Sequence, residues 1–271
     1  MPYRIGNIAP FDETTPPSHY GGTERVVSDR VRRLALRGHH VVLYAAGGSL
    51  APDGVELVTC TDGPIRLTPI ASDPEKRMRA AEVALERAVR DIAGRQQELD
   101  VVINDFGPQA LALRRKYGIS VPFISVLHGP IVPQDAEAYR QFPDDPLVCI
   151  SDSQRRDAER AGLHVVARVY NGIDLKRHTY PLPADQDPLG GLPFQPPDRY
   201  ATAMGVHTPN KGTGDAICIA RAVGIPLLIA GKIDPTNTQY YDQQIRPYLG
   251  DDVIDIGEAT DAMKCVLFGG A

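Results

Sequence analysis

Residues 20–49 read YGGTERVVSDRVRRLALRGHHVVLYAAGGS, and a change of period inside this stretch decides the fold. From Thr23 to Arg37, Val27, Val31 and Leu34 recur along one face and arginines take the other, the spacing of an amphipathic helix. Gly38 follows where a left-handed C-terminal cap ends such a helix. His40 to Ala45 (HVVLYA) then becomes a continuous apolar run, which is how a strand buried on both faces reads. A helix feeding directly into a buried strand is half of a βαβ unit, so parallel α/β architecture is expected.

The same alternation extends in both directions. Arg4 to Ala9 reads as a first strand, followed by a polar Pro- and Ser-rich loop up to Gly22. Val55 to Cys60 reads as another strand. Ser72-Asp73-Pro74 is a helix start, because Ser or Asp caps free amides and Pro lacks the amide that would go unpaired. Met78, Ala81, Leu85, Ala88 and Ile92 continue that helix on one face. Asp100 to Asn104, Val121 to Leu127 and Pro146 to Ile150 read as further buried strands with helices between or after them. A first domain is therefore predicted over 1–174. Pro181, Pro183, Pro188, Pro193, Pro196 and Pro197 discourage regular structure and predict a linker over 175–198. A second, partial domain over 199–271 has strands at Tyr200 to Met204, Pro226 to Ala230 and Val253 to Ile256, with helices at Gly212 to Val223 and Gln239 to Leu249.

Composition narrows the function classes. At 42% hydrophobic and 23% charged residues, the 271-residue chain has material for buried cores and disorder is not the default. A formal net charge of -5 argues against a general nucleic-acid binder, which needs a basic surface to neutralise phosphates. Cys60, Cys149, Cys218 and Cys265 lie far apart without metal-ligand spacing, which predicts reduced thiols, no metal and a cytoplasmic protein. The sequence carries no signal-peptide pattern and no apolar run of about 18 residues. Arg30, Arg32, Arg33 and Arg37 read either as a solvated helix face or as a peripheral contact with anionic lipid.

Several motifs carry candidate chemistry. Gly21 and Gly22 precede a helix, where they serve either as a tight turn or as a place where a phosphate or sugar approaches free amides. His128 in SVLHGPI follows a buried strand, at the sheet edge where ligands bind in parallel α/β folds; a capping or core hydrogen bond is the alternative. In VCISDSQRR, Ser151 begins a helix that Asp152 or Ser153 is expected to cap. Asn171 and Gly172 suit a chain reversal before Asp174. In MGVHTPNKGTGDAICIAR (204–221), Lys211 followed by glycines at a helix start suits a diphosphate. Lys232 by itself reads as a surface lysine. Asp144-Asp145-Pro146 reads as a loop rather than a metal-binding acidic motif.

Taken together and in this order, YGGTERVV, GHHVVLYA, LHG, VCISDSQRR, VYNGIDL and MGVHTPNKG resemble bacterial family 4 glycosyltransferases, and the likeness covers nearly the whole chain. The resemblance implies the GT-B fold: two Rossmann-like lobes with parallel sheets, the second incomplete here. It implies transfer of a sugar from a UDP- or GDP-sugar to a sugar, lipid-linked or small-molecule acceptor, with retention of configuration and no cofactor beyond the nucleotide-sugar substrate. It implies His128 as the catalytic-site histidine contacting sugar, and Gly21, Gly22, Gly205, Lys211, Lys232, Gly257 and Glu258 as donor-binding residues.

The departures are specific. Val206 stands where the family pattern has an arginine beside the diphosphate, Asn104-Asp105 where many relatives have histidine, and the sequence stops before the family's acidic E-x7-E element. Weakened activity and low stability are therefore expected. The alternatives are a non-catalytic sugar- or nucleotide-binding fragment and a sugar-nucleotide epimerase.

Overall fold

In the strand His40–Ala45, Val41, Leu43 and Ala45 enter one core while Val42 and Tyr44 enter another, so a single apolar run serves both faces of a sheet. The computed structural model describes every residue except 19, 176–179, 183–185, 188 and 235–236. The chain divides into two compact units, residues 1–17 with 21–173 and residues 18–20 with 174–271.

The first unit contains β1 (Arg4–Ile8), β2 (His40–Ala45), β3 (Val55–Thr59), β4 (Val101–Asn104), β5 (Phe123–Leu127), β6 (Leu147–Cys149) and β7 (Val165–Arg168). All pairings are parallel and the order is β3-β2-β1-β4-β5-β6-β7. The order reverses between β1 and β4, the topological switch point where open parallel sheets form a crevice beyond their strand ends. β7 escapes sequence reading because it is short and only Val165 of its four residues is buried.

Five helices connect these strands: α1 (Gly22–Leu36), α2 (Pro74–Arg95), α3 (Pro108–Lys116), α4 (Pro133–Arg140) and α5 (Asp152–Arg160). Val27 and Val31 of α1 pack with Val41, Leu43 and Ala45. Asp73 caps α2 by accepting from the Lys76 amide at 3.1 Å, and Pro74 opens the helix as expected. The buried stripe of α2 is Ala84, Leu85, Ala88, Val89 and Ile92, packed in the larger core with Val42 and Tyr44. Met78, predicted on that face, is exposed because the stripe begins only at Ala84. The cap of α5 also needs correction. Ser151 itself accepts from the Gln154 amide, whereas Asp152 is the first helical residue and binds Arg168 at 2.9 Å and the Tyr170 hydroxyl at 2.8 Å.

The second unit has a three-stranded parallel sheet in the order β10-β9-β8, from β8 (Ala201–Met204), β9 (Leu227–Ala230) and β10 (Val253–Asp255). Central β9 is buried throughout: Leu228 and Ala230 face a core with Tyr200, Met263, Val266 and Leu267, while Leu227 and Ile229 face Ile217, Tyr241 and Ile245. Helices α6 (Thr213–Val223), α7 (Thr238–Gln244) and α8 (Asp261–Gly269) complete it. The helix expected over Gln239 to Leu249 stops at Gln244 and resumes as a 3-10 turn, Arg246–Tyr248. Pro247 has no amide to continue the α-helical ladder. α8 was not anticipated, although Thr260 caps it by accepting from the Met263 amide at 3.2 Å. No helix or strand forms among the described residues of 175–198; Pro183 and Pro188 lie outside the described residues. Leu192 of this segment is buried in the core that includes Tyr200 and Met263.

Candidate functional sites

In the first unit the switch point gathers four polar side chains from four separate stretches of chain. Asn7 sits one residue before the end of β1, wholly buried between Gly6 and Ile8. Asp105 follows β4 directly, its amide donating to the Ile8 carbonyl at 3.0 Å, which places its side chain beside that of Asn7. Asn104 shapes the loop that holds it there. The Asn104 amide group donates to Gly107 O and Ser125 Oγ at 2.8 and 2.9 Å, and Asn104 Oδ1 accepts from the Phe106 amide at 3.1 Å.

The carboxylate of Asp105 is fully enclosed. Its Oδ2 accepts from Asn7 Nδ2 at 2.9 Å and from the Arg30 guanidinium, and its Oδ1 lies 2.7 Å from His128 Nε2. Arg30 also donates to Asn7 Oδ1 at 2.9 Å. Burial by itself would raise the Asp105 pKa. The adjacent Arg30 charge and the His128 hydrogen bond outweigh it and hold the carboxyl below its ordinary value. Arg30 is thus engaged with the sheet edge rather than lying on the solvated or lipid-facing row expected for it.

His128 leaves the end of β5 with 12% of its side chain exposed, so of the two readings open for it, it occupies the crevice edge and makes a buried hydrogen bond at once. Gln154 fixes the loop after it, donating to Gly129 O at 2.7 Å while accepting from the Ile150 amide at 2.8 Å. Gly21 has a backbone φ of 143°, and a Cβ there would stand 2.6 Å from Pro17 Cβ. The requirement for glycine at Gly21 is therefore steric and internal. Gly22 opens α1 with nothing within 4 Å of an added Cβ, leaving that spot accessible. Glu24, buried in the first turn of α1, already brings a carboxylate to the helix start.

In the second unit three glycines line the C-terminal edge of the sheet. Gly205 donates to Ala230 O at 2.9 Å, Gly231 donates to Gly257 O at 2.8 Å, and a Cβ on Gly231 would lie 1.7 Å from Gly205 O. Gly257 has φ 76° and its amide binds Asp255 Oδ1 at 2.9 Å, a turn suited to glycine. Glu258 follows it, half-buried.

Lys211 ends a 3-10 turn, Pro209–Lys211, and its aliphatic chain runs beside Gly205, 3.7 Å from where a Cβ would stand. Its side chain is exposed, and among the described residues nothing hydrogen-bonds or ion-pairs with its ammonium. Gly212 follows in a left-handed conformation and α6 begins at Thr213. The Gly214 amide at that helix start binds the Tyr240 hydroxyl at 3.0 Å. Lys232 lies at the same sheet edge, its carbonyl accepting from the His207 amide at 2.9 Å. Its ammonium sits 4.0 Å from the ring centre of Tyr20, a residue of the same unit. Val206, at the position of the family arginine, is buried.

Sequence reasoning missed His207 as a site residue. It is 1% exposed, its Nδ1 is 3.4 Å from Thr213 Oγ1, and its ring tilts against Tyr241. Its Nε2 stands 3.9 Å from Asp255 Oδ2, beyond hydrogen-bonding distance. Burial lowers its pKa, with the Asp255 charge opposing in part. A histidine three residues past a strand end was the available signal. Among the described residues no group of His, Cys, Asp and Glu could hold a metal ion, and no helix is long and apolar enough to cross a membrane.

A seven-stranded and a three-stranded parallel sheet, each with its candidate residues beyond the strand ends, define an α/β protein of the GT-B type. Residues 20–177, more than half of the chain, match the family model Glycosyltransferase Family 4, and the chain belongs to that family. Among solved structures it resembles AviGT4, a glycosyltransferase involved in avilamycin A biosynthesis, at 23% identity and a TM-score of 0.61. That match covers 96% of this chain and 65% of AviGT4, so the chain spans about two thirds of that relative's length. It also resembles α,α-trehalose 6-phosphate synthase from Burkholderia multivorans, at 16% identity and TM-score 0.61, covering 99% of this chain and 74% of that one. A third likeness is to UDP-GlcNAc 2-epimerase from Neisseria meningitidis bound to UDP-GlcNAc, at 10% identity and TM-score 0.52, covering 99% and 76%. No curated protein sequence matches the chain.

Proposed function

We propose that this chain is a sugar-transferring protein that takes a nucleoside-diphosphate sugar, UDP- or GDP-linked, and passes the sugar to an acceptor with retained configuration. The observation that carries the reading is Lys211. It is an exposed ammonium without a counter-ion among the described residues, lying along Gly205 at the C-terminal edge of a parallel sheet and next to a helix start. A cation and free amides at such an edge suit a diphosphate. Lys232 extends the positive edge, and the turn at Gly257 and Glu258 is the proposed place for the nucleobase. The UDP-GlcNAc held by the Neisseria epimerase is consistent with a UDP-sugar here.

In the first unit, His128 is the proposed contact for a sugar or acceptor hydroxyl, and Gly22 opens α1 where nothing lies within 4 Å of an added Cβ. A developing charge on the leaving diphosphate would be stabilised by Lys211. The buried Val206 supplies no cation, so donor binding rests on Lys211 more than the family pattern implies. No metal or cofactor enters this reading. Among the described residues none of the four cysteines forms a disulfide, which suits a reducing, cytoplasmic setting.

Calorimetry of the chain with UDP, GDP and their glucose and mannose conjugates, followed by a sugar-release assay with and without added acceptors, tests the proposal. Acceptor-dependent release supports transfer. Turnover of nucleotide-sugar without any acceptor would favour the epimerase reading, and absence of binding to every nucleotide would reject both.

A further inference from the structure

We propose that Asp105 is a positioning residue which fixes His128 as its Nε2–H tautomer and so presents Nδ1 as a hydrogen-bond acceptor for a substrate hydroxyl.

The hydrogen-bond inventory around Asp105 supports this assignment. Asp105 Oδ2 receives Asn7 Nδ2 at 2.9 Å and the Arg30 guanidinium, and both of these groups can only donate. Against the cost of burial, the adjacent Arg30 charge holds this carboxyl below its ordinary value, so it is ionised and can only accept. Oδ1 lies 2.7 Å from His128 Nε2, so the proton on that contact belongs to the imidazole. In the neutral ring the other nitrogen, Nδ1, then carries a lone pair. Among the described residues no protein group hydrogen-bonds to Nδ1, and 12% of the side chain is exposed. A nitrogen kept as an acceptor, with its partner nitrogen held by a buried carboxylate, suits a ligand O–H and not a phosphate oxygen, which would need a donor. That a sugar hydroxyl is the ligand rests on the transferase reading above; the tautomer does not.

Arg30 and Asn7 are what make the arrangement directional. Because two donors already face Oδ2, an asparagine at position 105 would turn its carbonyl toward them and its NH2 toward His128. Nε2 would then have to accept and the proton would move to Nδ1. The expected effect of Asp105→Asn is thus a tautomer reversal with the fold retained.

The experiment is a long-range 1H–15N correlation spectrum of histidine-labelled protein in mildly alkaline buffer, with the His128 signals assigned by their loss in His128→Gln. The wild type is expected to show a neutral His128 protonated at Nε2, and Asp105→Asn one protonated at Nδ1. A wild-type ring protonated at Nδ1 or at both nitrogens overturns the inference, as does a folded Asp105→Asn protein that keeps the Nε2 proton. Should Asp105→Asn fail to fold, the wild-type spectrum alone decides. Loss of nucleotide binding in calorimetry would reject the transferase reading while leaving this spectrum unchanged, so the two failures are told apart.

Discussion

The carbonyl oxygen of Gly205 and the α-carbon of Gly231 meet so closely that a Cβ on Gly231 would stand 1.7 Å from that oxygen. Neither partner is a flexible side chain, so the clash can be relieved only by moving the ends of β8 and β9. Gly231→Ala is expected to destabilise the second unit by about 1–3 kcal/mol, the usual range for overpacking in a well-packed region. Gly22→Ala is the contrast, since nothing lies within 4 Å of its added Cβ. It is expected to be neutral or to stabilise α1 by up to about 1 kcal/mol. Urea unfolding of both variants checks the pair: a lower midpoint for Gly231→Ala and an equal or higher one for Gly22→Ala.

Lys211 offers a separation of binding from stability. Its ammonium has no protein partner among the described residues, so Lys211→Ala should leave the unfolding midpoint unchanged. A charge-assisted phosphate contact contributes about 1.5–3 kcal/mol, which corresponds to roughly tenfold to hundredfold weaker nucleotide binding. Calorimetry with UDP reads this directly. Equal affinity in variant and wild type would remove Lys211 from the donor site.

These two cases show what the sequence could reveal. The continuous apolar runs HVVLYA and LLIA announce buried parallel strands because both faces of each are covered, and Lys211 beside Gly212 is legible because a local sequence places a cation at a helix start. The Asn7, Arg30, Asp105 and His128 cluster is not legible in that way. Asn7 and Asp105 are 98 residues apart and meet only because β1 and β4 pair at the switch point. Arg30 reads as one more arginine on a polar helix face until its guanidinium is seen to reach Asp105. Asp105 was visible merely as a departure from a family pattern. Edge strand β7 and the break of α7 at Pro247 were missed for local reasons, a half-exposed strand and a proline that ends a helical ladder.

Removing one member of the buried pair should cost more than removing a surface ion pair. Arg30→Ala leaves the enclosed Asp105 carboxylate without its guanidinium, and breaking a buried pair in this way costs about 3–5 kcal/mol. The pH dependence has a definite sign. The folded Asp105 pKa lies below its ordinary value, so its stabilising contribution is present above the unfolded value near about 4 and is lost as pH falls through the folded value. Acid unfolding of the wild type should therefore include a component that Asp105→Asn lacks. Identical acid slopes in the two proteins would contradict an ionised, stabilising Asp105.

His207 gives a second and distinct acid sensitivity. Burial lowers its folded pKa, so between that value and the unfolded value near about 6.5 the unfolded chain binds more protons than the folded one. Stability must then fall as pH drops below about 6.5, in a window that opens at a higher pH than the one set by Asp105. The loss arises because an imidazolium at His207 would be enclosed with its Nε2 3.9 Å from Asp255, too far for a hydrogen bond to compensate desolvation. His207→Gln, which cannot titrate, should flatten this part of the profile while retaining the lower one. Unfolding free energies measured by urea titration across mildly acidic buffers distinguish the outcomes: a slope shared by wild type and His207→Gln would place the sensitive group elsewhere.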